Sequence, residues 1–357
     1  MQYRINNLKK IMEQDNLDGI LISSRPNTFY FTGFTGTVSM CLFTYEKAYL
    51  IADFRYFIQA KGQVFSDIEV IQYEKDFQDT LKRLLMQHNV KNLGLEGKDI
   101  TYAMHKSFND SFTGVKNFSD IQEKINRLRM IKDNDELNKI KKAVEIAEKA
   151  FVDVLPFIKP GVIEYEIALE LEYKMKKLGA KGASFDIIVA SGPRSALPHG
   201  VADIREFQYG DAVVMDFGAV YNGYCSDMTR TFFIGTPAKE LKEIYDIVLK
   251  AQMEAVIKAS TKITGKDLDG ISRNIISDAG YDKYFGHGLG HGVGVEIHEM
   301  PVISPKGKEQ LKAGMVFTVE PGIYVEGLGG VRIEDMVCLA ESGAEILTKS
   351  SKELIIL

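Results

Sequence analysis

An α/β domain over residues 1–122, followed by an α+β domain over residues 123–357, is the architecture the sequence predicts. Three observations point to it. The first 120 or so residues alternate short apolar runs with helical periodicity. A polar stretch, Ser119 to Asn126, precedes a capping-box signal at Asp133 and Glu136. Two helical stretches then give way to a region rich in strands and glycine. Within the first domain, Ile5, Leu8, Ile11 and Met12 recur at helical spacing, and Gly19 to Ile22 reads as a buried strand. Ser39 to Phe43, Ala48 to Ile51, Ile68 to Ile71 and Asn92 to Leu95 are further strands, and Phe77 to His88 is an amphipathic helix. In the second domain, Leu137, Ile140, Val144, Ala147 and Phe151 line one helix face, and another helix follows Gly161.

Composition narrows the function. The chain is 45% hydrophobic and 26% charged with a net charge of −5, and its lysines and arginines are dispersed, so no nucleic-acid partner is expected. The amino terminus is amphipathic and charged, which predicts neither a signal peptide nor a membrane span. Cys41, Cys225 and Cys338 are widely spaced and form neither a disulfide framework nor a thiolate zinc motif. A cytoplasmic location is the expectation.

The most informative segment is DAVVMDFGAVYNGYCSDMTRTFFIG, where two apolar runs flank Asn222-Gly223, a pair that favours a type I′ hairpin. If Tyr221 faces Tyr224, Asp216 lies opposite Thr229, and Asp227 is its diagonal neighbour on the same face. A carboxylate inside AVVMDFGAV costs several kcal/mol (about 3–5) without a partner, and two on one face cost more. Either one of them is protonated or a cation lies between them.

Four of the six histidines fall in ALPHG (His199) and GHGLGHGVGVEIHE (His287, His291, His298), whereas His88 and His105 read as solvated surface groups. Glycine at alternate positions from Gly286 to Gly294 leaves room for close approach of a backbone or a ligand. Glu320 follows the strand MVFTV, and Glu334 lies in GGVRIEDMVCLA, where alternation predicts an ion pair with Arg332 or a surface strand position. Together Asp216, Asp227, His291, Glu320 and Glu334 suit a pair of hard or borderline divalent ions.

These segments carry a family resemblance. MDFGAVYNGYCSDMTRTF, FGHGLGHGVGVEIHE, FTVEPGIY and VRIEDMV resemble the metal motifs of the pita-bread metallopeptidases, the family of methionine aminopeptidases, Xaa-Pro aminopeptidases and Xaa-Pro dipeptidases (prolidases). The resemblance implies a pita-bread catalytic domain in which Asp216, Asp227, His291, Glu320 and Glu334 hold two divalent ions, manganese first, with cobalt, iron or zinc as alternatives. It further implies that Asp227 and Glu334 bridge the ions, that Glu320 shuttles a proton, that His298 donates to the oxyanion and that His199 helps place the substrate. His287, Tyr324 and Arg332 are the implied substrate-pocket residues. SSRPNTFYFTGFTG and DFRY are similar to the amino-terminal domain of the proline-directed members, which implies short proline-containing peptides as substrates and a homodimer. Other activities are a methionine aminopeptidase and a non-catalytic binding module. Val302 stands where some prolidases have an arginine to hold a dipeptide's carboxylate, and Arg194 and Arg332 are the substitutes.

Overall fold

The computed structural model describes residues 2–357. Its first element, α1 (Gln2–Gln14), buries Ile5, Leu8, Ile11 and Met12, the stripe that the helical spacing predicts. There follow β1 (Gly19–Ile22), α2 (Arg25–Thr32), β2 (Met40–Thr44), β3 (Ala48–Ala52), α3 (Phe54–Gln63) and β4 (Ile68–Gln72). Then come α4 (Phe77–Gln87), β5 (Asn92–Leu95), α5 (Tyr102–Ser111), β6 (Asn117–Asp120) and α6 (Gln122–Leu128). The six strands make one mixed sheet in the order β4-β3-β2-β1-β5-β6. β1 and β3 are buried along their whole length, as strands covered on both faces must be. His88 departs from the surface reading: its side chain is 5% exposed and its Nε2 lies 2.8 Å from the Tyr49 hydroxyl. His105 is exposed.

SSRPN has a structural task in this unit. Ser24 caps α2, and both Ser23 and Ser24 donate backbone N–H groups to the fully buried Glu96, at 2.5 and 2.8 Å. The Ser24 hydroxyl and Asn27 amide donate to its other oxygen. Glu96 is thereby saturated, which is the condition for burying a carboxylate.

Compact units divide between Leu128 and Arg129, later than the 122/123 boundary read from sequence. The difference is α6, whose Ile125 is fully buried and whose chain continues the first unit past the polar stretch. The second unit opens with α7 (Asn134–Val154), which carries the expected Asp133–Glu136 capping box, and α8 (Glu164–Lys177). Short strands follow: β7 (Gly182–Ala183), β8 (Ile188–Ser191), β9 (Ala212–Phe217), β10 (Ala219–Tyr221), β11 (Tyr224–Cys225) and β12 (Met228–Phe233). After α9 (Lys239–Lys258) and α10 (Gly265–Asp278) come β13 (Gly290–Gly292), β14 (Glu299–Ile303), β15 (Val316–Val319), β16 (Gly322–Val325), β17 (Gly329–Arg332), β18 (Asp335–Ala340) and β19 (Gly343–Ile346). Among the described residues no helix is long and apolar enough to cross a membrane.

The hairpin follows the register that Asn222-Gly223 predicts. Both turn residues have positive φ, 46° and 83°, as a type I′ turn requires. Tyr221 pairs with Tyr224 and Asp216 with Thr229. Val213, Met215 and Phe217 pack with α7 and α8, where Phe151 stacks on Phe217 at 5.4 Å. Strand alternation therefore turns Asp216, with Thr229 and Asp227, to the opposite face. Gly218 makes this possible, because a Cβ there would meet the Ser226 carbonyl oxygen at 1.8 Å. Gly218→Ala is expected to push the Asp227 segment outward and weaken divalent-ion binding at least tenfold (about 1.4 kcal/mol). Calorimetric titration with Mn²⁺ checks this, and wild-type affinity would contradict it.

Candidate metal centre

Each ligand candidate is delivered by a different constraint of the fold. Asp216 stands on the central strand of the β12-β9-β8 sheet, and Asp227 immediately precedes β12. His291 lies in β13, between β14 and β15. The alternating glycines explain that placement. A Cβ at Gly290 would meet the Thr318 carbonyl oxygen at 2.1 Å, and one at Gly292 would meet that of Met300 at 2.1 Å, so it is the neighbouring strands that require glycine there. Glu320 follows β15, and Glu334 sits in the short link from β17 to β18, two strands of different sheets.

All five converge. Oxygens of Asp216, Asp227 and Glu334 lie within 4.8 Å of one another. His291 Nε2 lies 3.6 Å from Asp227 Oδ2 and 3.3 Å from Glu320 Oε1. The imidazole is oriented by its other nitrogen, which lies 3.2 Å from the Gly292 carbonyl and donates to it when Nε2 faces the acids. Thr229 donates to Glu334 Oε2 at 2.7 Å, and Thr318 to Glu320 Oε1 at 3.1 Å. Neither threonine was singled out from sequence, although Thr229 was visible as the cross-strand partner of Asp216.

Arg332 pairs with Asp216, at 2.6 Å, rather than with Glu334 as alternation predicts. The reason is that β17 ends at Arg332, so strand alternation does not reach Glu334. The guanidinium is 3% exposed and every nitrogen is engaged: Nε donates to Thr229, and the terminal groups donate to the Pro198 carbonyl, the Tyr324 hydroxyl and Asp216. Tyr324 differs from its substrate-pocket expectation. It is 9% exposed, does not line the cavity, and its hydroxyl lies between Arg332 and His287 Nε2, 2.8 and 3.0 Å away. Arg194, the other candidate carboxylate holder, is paired with Glu164.

The cluster opens into a cavity of about 540 Å³, whose lining includes His199, His287, His298, Val302 and Arg332 together with the five ligand candidates. His298 meets the His291 ring edge to face at 4.2 Å between centroids, and both His298 and His199 are solvent-accessible. Phe185, Asp186 and Ile297 also line it, and sequence reading did not single them out.

Electrostatics make the cluster costly without a cation. Burial, then repulsion from Glu334 and Asp216, raises Asp227 well above the usual carboxylate range. Burial, then Glu320 and Asp216, does the same to Glu334. Burial also raises Asp216, against the pull of Arg332. Glu320 goes the other way, to about 2, because the hydrogen bond and charge of His291, with help from His287 and Arg332, outweigh its burial. His291 is raised in return: burial lowers it, and Glu320 more than compensates. Asp216 Oδ1 and Glu334 Oε1 are buried with no hydrogen-bond partner. Two orphaned carboxylate oxygens in a group of three acids, with an imidazole nitrogen beside them, are the donor set of a hard or borderline divalent ion, so the residues present fit such a cofactor.

A carboxylate-and-histidine pocket on a pita-bread domain, in a chain that begins with a creatinase-type α/β domain, defines a metal-dependent hydrolase. Residues 138–341 match metallopeptidase family M24, and residues 4–131 match the creatinase/prolidase N-terminal domain; the chain belongs to this family, whose chemistry uses divalent metal ions. It is 43% identical over 357 residues to the Xaa-Pro dipeptidase of Pyrococcus furiosus, covering 99% of this chain and 100% of that one. The structure of an Xaa-Pro dipeptidase from Bacillus anthracis superposes with a TM-score of 0.97 at 43% identity, covering 100% of this chain and 99% of the other. An X-Pro aminopeptidase from Thermotoga maritima gives 0.90 at 43% identity, covering 96% and 98%.

The raised carboxyls set a pH dependence. A carboxyl with a raised folded-state pKa keeps its proton where the unfolded chain has released it, so the metal-free protein loses stability as pH rises through the raised values. A divalent ion must displace those protons. Metal affinity is expected to climb from acid to neutral pH with measurable proton release in buffers of different ionisation enthalpy. Binding without proton release across that range would contradict the assignment.

Proposed function

We propose that this protein is a metallo-exopeptidase that hydrolyses Xaa-Pro bonds at the amino terminus of short peptides. The observation that carries the reading is the convergence of Asp216, Asp227, His291, Glu320 and Glu334 on one cavity wall, with two acid oxygens left unpartnered. These five residues would hold two divalent ions, manganese first. Bound there, the ions supply Lewis-acid polarisation of the scissile carbonyl and acidify water.

The chain's own residues supply the rest. Glu320, ionised and held by the Thr318 hydroxyl, accepts a proton at its carboxylate and returns it to the leaving imide nitrogen. His298, whose affinity for an extra proton is lowered by burial and by His291, donates its N–H to the developing oxyanion. His199 and His287 line the space that the substrate enters, and Arg332 fixes the rotamer of Asp216. An Xaa-Pro bond has no N–H and a locked φ, so it needs a pocket of its own. Glu320→Gln should leave the fold intact and lower kcat by about 10²–10⁴-fold. Wild-type kcat in that variant would remove Glu320 from proton transfer.

One observation favours peptides longer than two residues. Arg332 is the only arginine or lysine in the cavity lining among the described residues, and all its nitrogens are engaged, while Val302 offers no charge. A dipeptide's free carboxylate would find no free arginine or lysine side chain to meet it. Xaa-Pro-Yaa tripeptides are expected to exceed Xaa-Pro dipeptides in kcat/KM, and the reverse order would sink this preference. The three cysteines are buried and unpaired, which suits a cytoplasmic enzyme, and we take the working unit to be a homodimer.

A further inference from the structure

One wall of the cavity is a loop held by a buried carboxylate outside the metal cluster. Glu164, the first residue of α8, is fully buried. It accepts from the Ser191 backbone N–H at 2.7 Å and the Ser191 hydroxyl at 2.6 Å. It also accepts from Arg194 and from the Asp203 N–H at 3.3 Å. These bonds grip both ends of the segment 192–202. The same helical turn also donates its own N–H groups, Glu164 to the Arg205 carbonyl at 3.0 Å and Tyr165 to that of Asp203 at 3.1 Å. Arg194 braces the loop internally by donating to the Val201 carbonyl at 2.8 Å.

What the grip controls can be followed residue by residue. Val201 bridges to Ile188, Ile188 pairs with Asp216, and Asp216 pairs with Thr229. Val201, Ile188 and Asp216 all line the cavity, as do Pro198 and His199. The loop is therefore the continuation, on the substrate side, of the sheet row that carries a metal-ligand candidate. The Pro198 carbonyl also accepts from Arg332 at 3.1 Å.

We propose that Glu164 is a positioning residue for substrate: through Ser191, Arg194 and Asp203 it holds the His199 loop as a cavity wall, without taking part in metal binding. Burial pushes the Glu164 carboxyl above its ordinary range, and the Ser191, Arg194 and Asp203 donors, with the first turn of α8, act against that shift. This rests on the peptidase reading of the same cavity. A Gln at 164 keeps the size but cannot accept from Ser191, Arg194 and Asp203 together.

The test uses the Mn²⁺-loaded full chain. Glu164→Gln is expected to raise KM for an Xaa-Pro tripeptide roughly ten- to hundredfold, with kcat changed far less and the Mn²⁺ dissociation constant within about twofold of wild type. Arg194→Gln, at a partly exposed position, keeps the proposal testable if the first variant does not fold, and should move KM in the same direction by less. Tryptic cleavage after Arg194 gives a readout independent of activity: Glu164→Gln should be cut there several-fold faster than wild type. If wild type turns over no Xaa-Pro peptide, the peptidase reading fails, while faster cleavage after Arg194 still supports the anchor. Unchanged KM and unchanged cleavage, or a parallel loss of Mn²⁺ affinity, would overturn it.

Discussion

Repulsion among buried acids is the constraint on which the catalytic domain depends. Asp216, Asp227 and Glu334 bring ligand oxygens within 4.8 Å of one another in an interior where each charge is expensive. Only one of the three has an arginine against it. The remainder is met by hydroxyl donors, by protons on the raised carboxyls, or by divalent cations. Divalent cations would give the orphaned Asp216 and Glu334 oxygens a partner, and the family's chemistry uses them.

The fold meets this constraint most fully at Glu334, which is fixed from two directions. Glu334 receives the Thr229 hydroxyl, while its own N–H donates to the Thr229 carbonyl at 3.2 Å. Arg230 lies behind that link and donates to the Thr229 and Glu334 carbonyls. Asp335, next along the chain, is fully buried and held by Arg230, Gln252, Thr348 and Lys352. The charges of Arg230 and Lys352 outweigh burial and keep the Asp335 carboxyl below its ordinary range. Attraction on the far side of Glu334 thus holds in place the acid that repulsion on the near side would displace.

What the sequence made legible followed periodicity and turn chemistry. Asn222-Gly223 set a two-residue hairpin, and from it the Asp216–Thr229 pairing could be counted out. The capping box at Asp133 and the helical stripe of α7 were equally local signals. The partner of Arg332 is not legible in the same way, because it lies 116 residues away on another strand and β17 ends before alternation can reach Glu334. The glycines from Gly286 onward are visible in the sequence, but at Gly290 and Gly292 their cause is tertiary: strands β15 and β14 approach from two sides. Glu96 gave no signal at all, since its donors come from Ser23, Ser24 and Asn27. Residues whose partners lie within one hairpin or one helical turn can be read from the chain; those whose partners arrive across sheets cannot.

The most direct test of the central claim is anomalous diffraction at the manganese edge from crystals grown with Mn²⁺. Two peaks enclosed by Asp216, Asp227, His291, Glu320 and Glu334 are the predicted result. A fully occupied crystal form with no anomalous density among those residues would contradict the account.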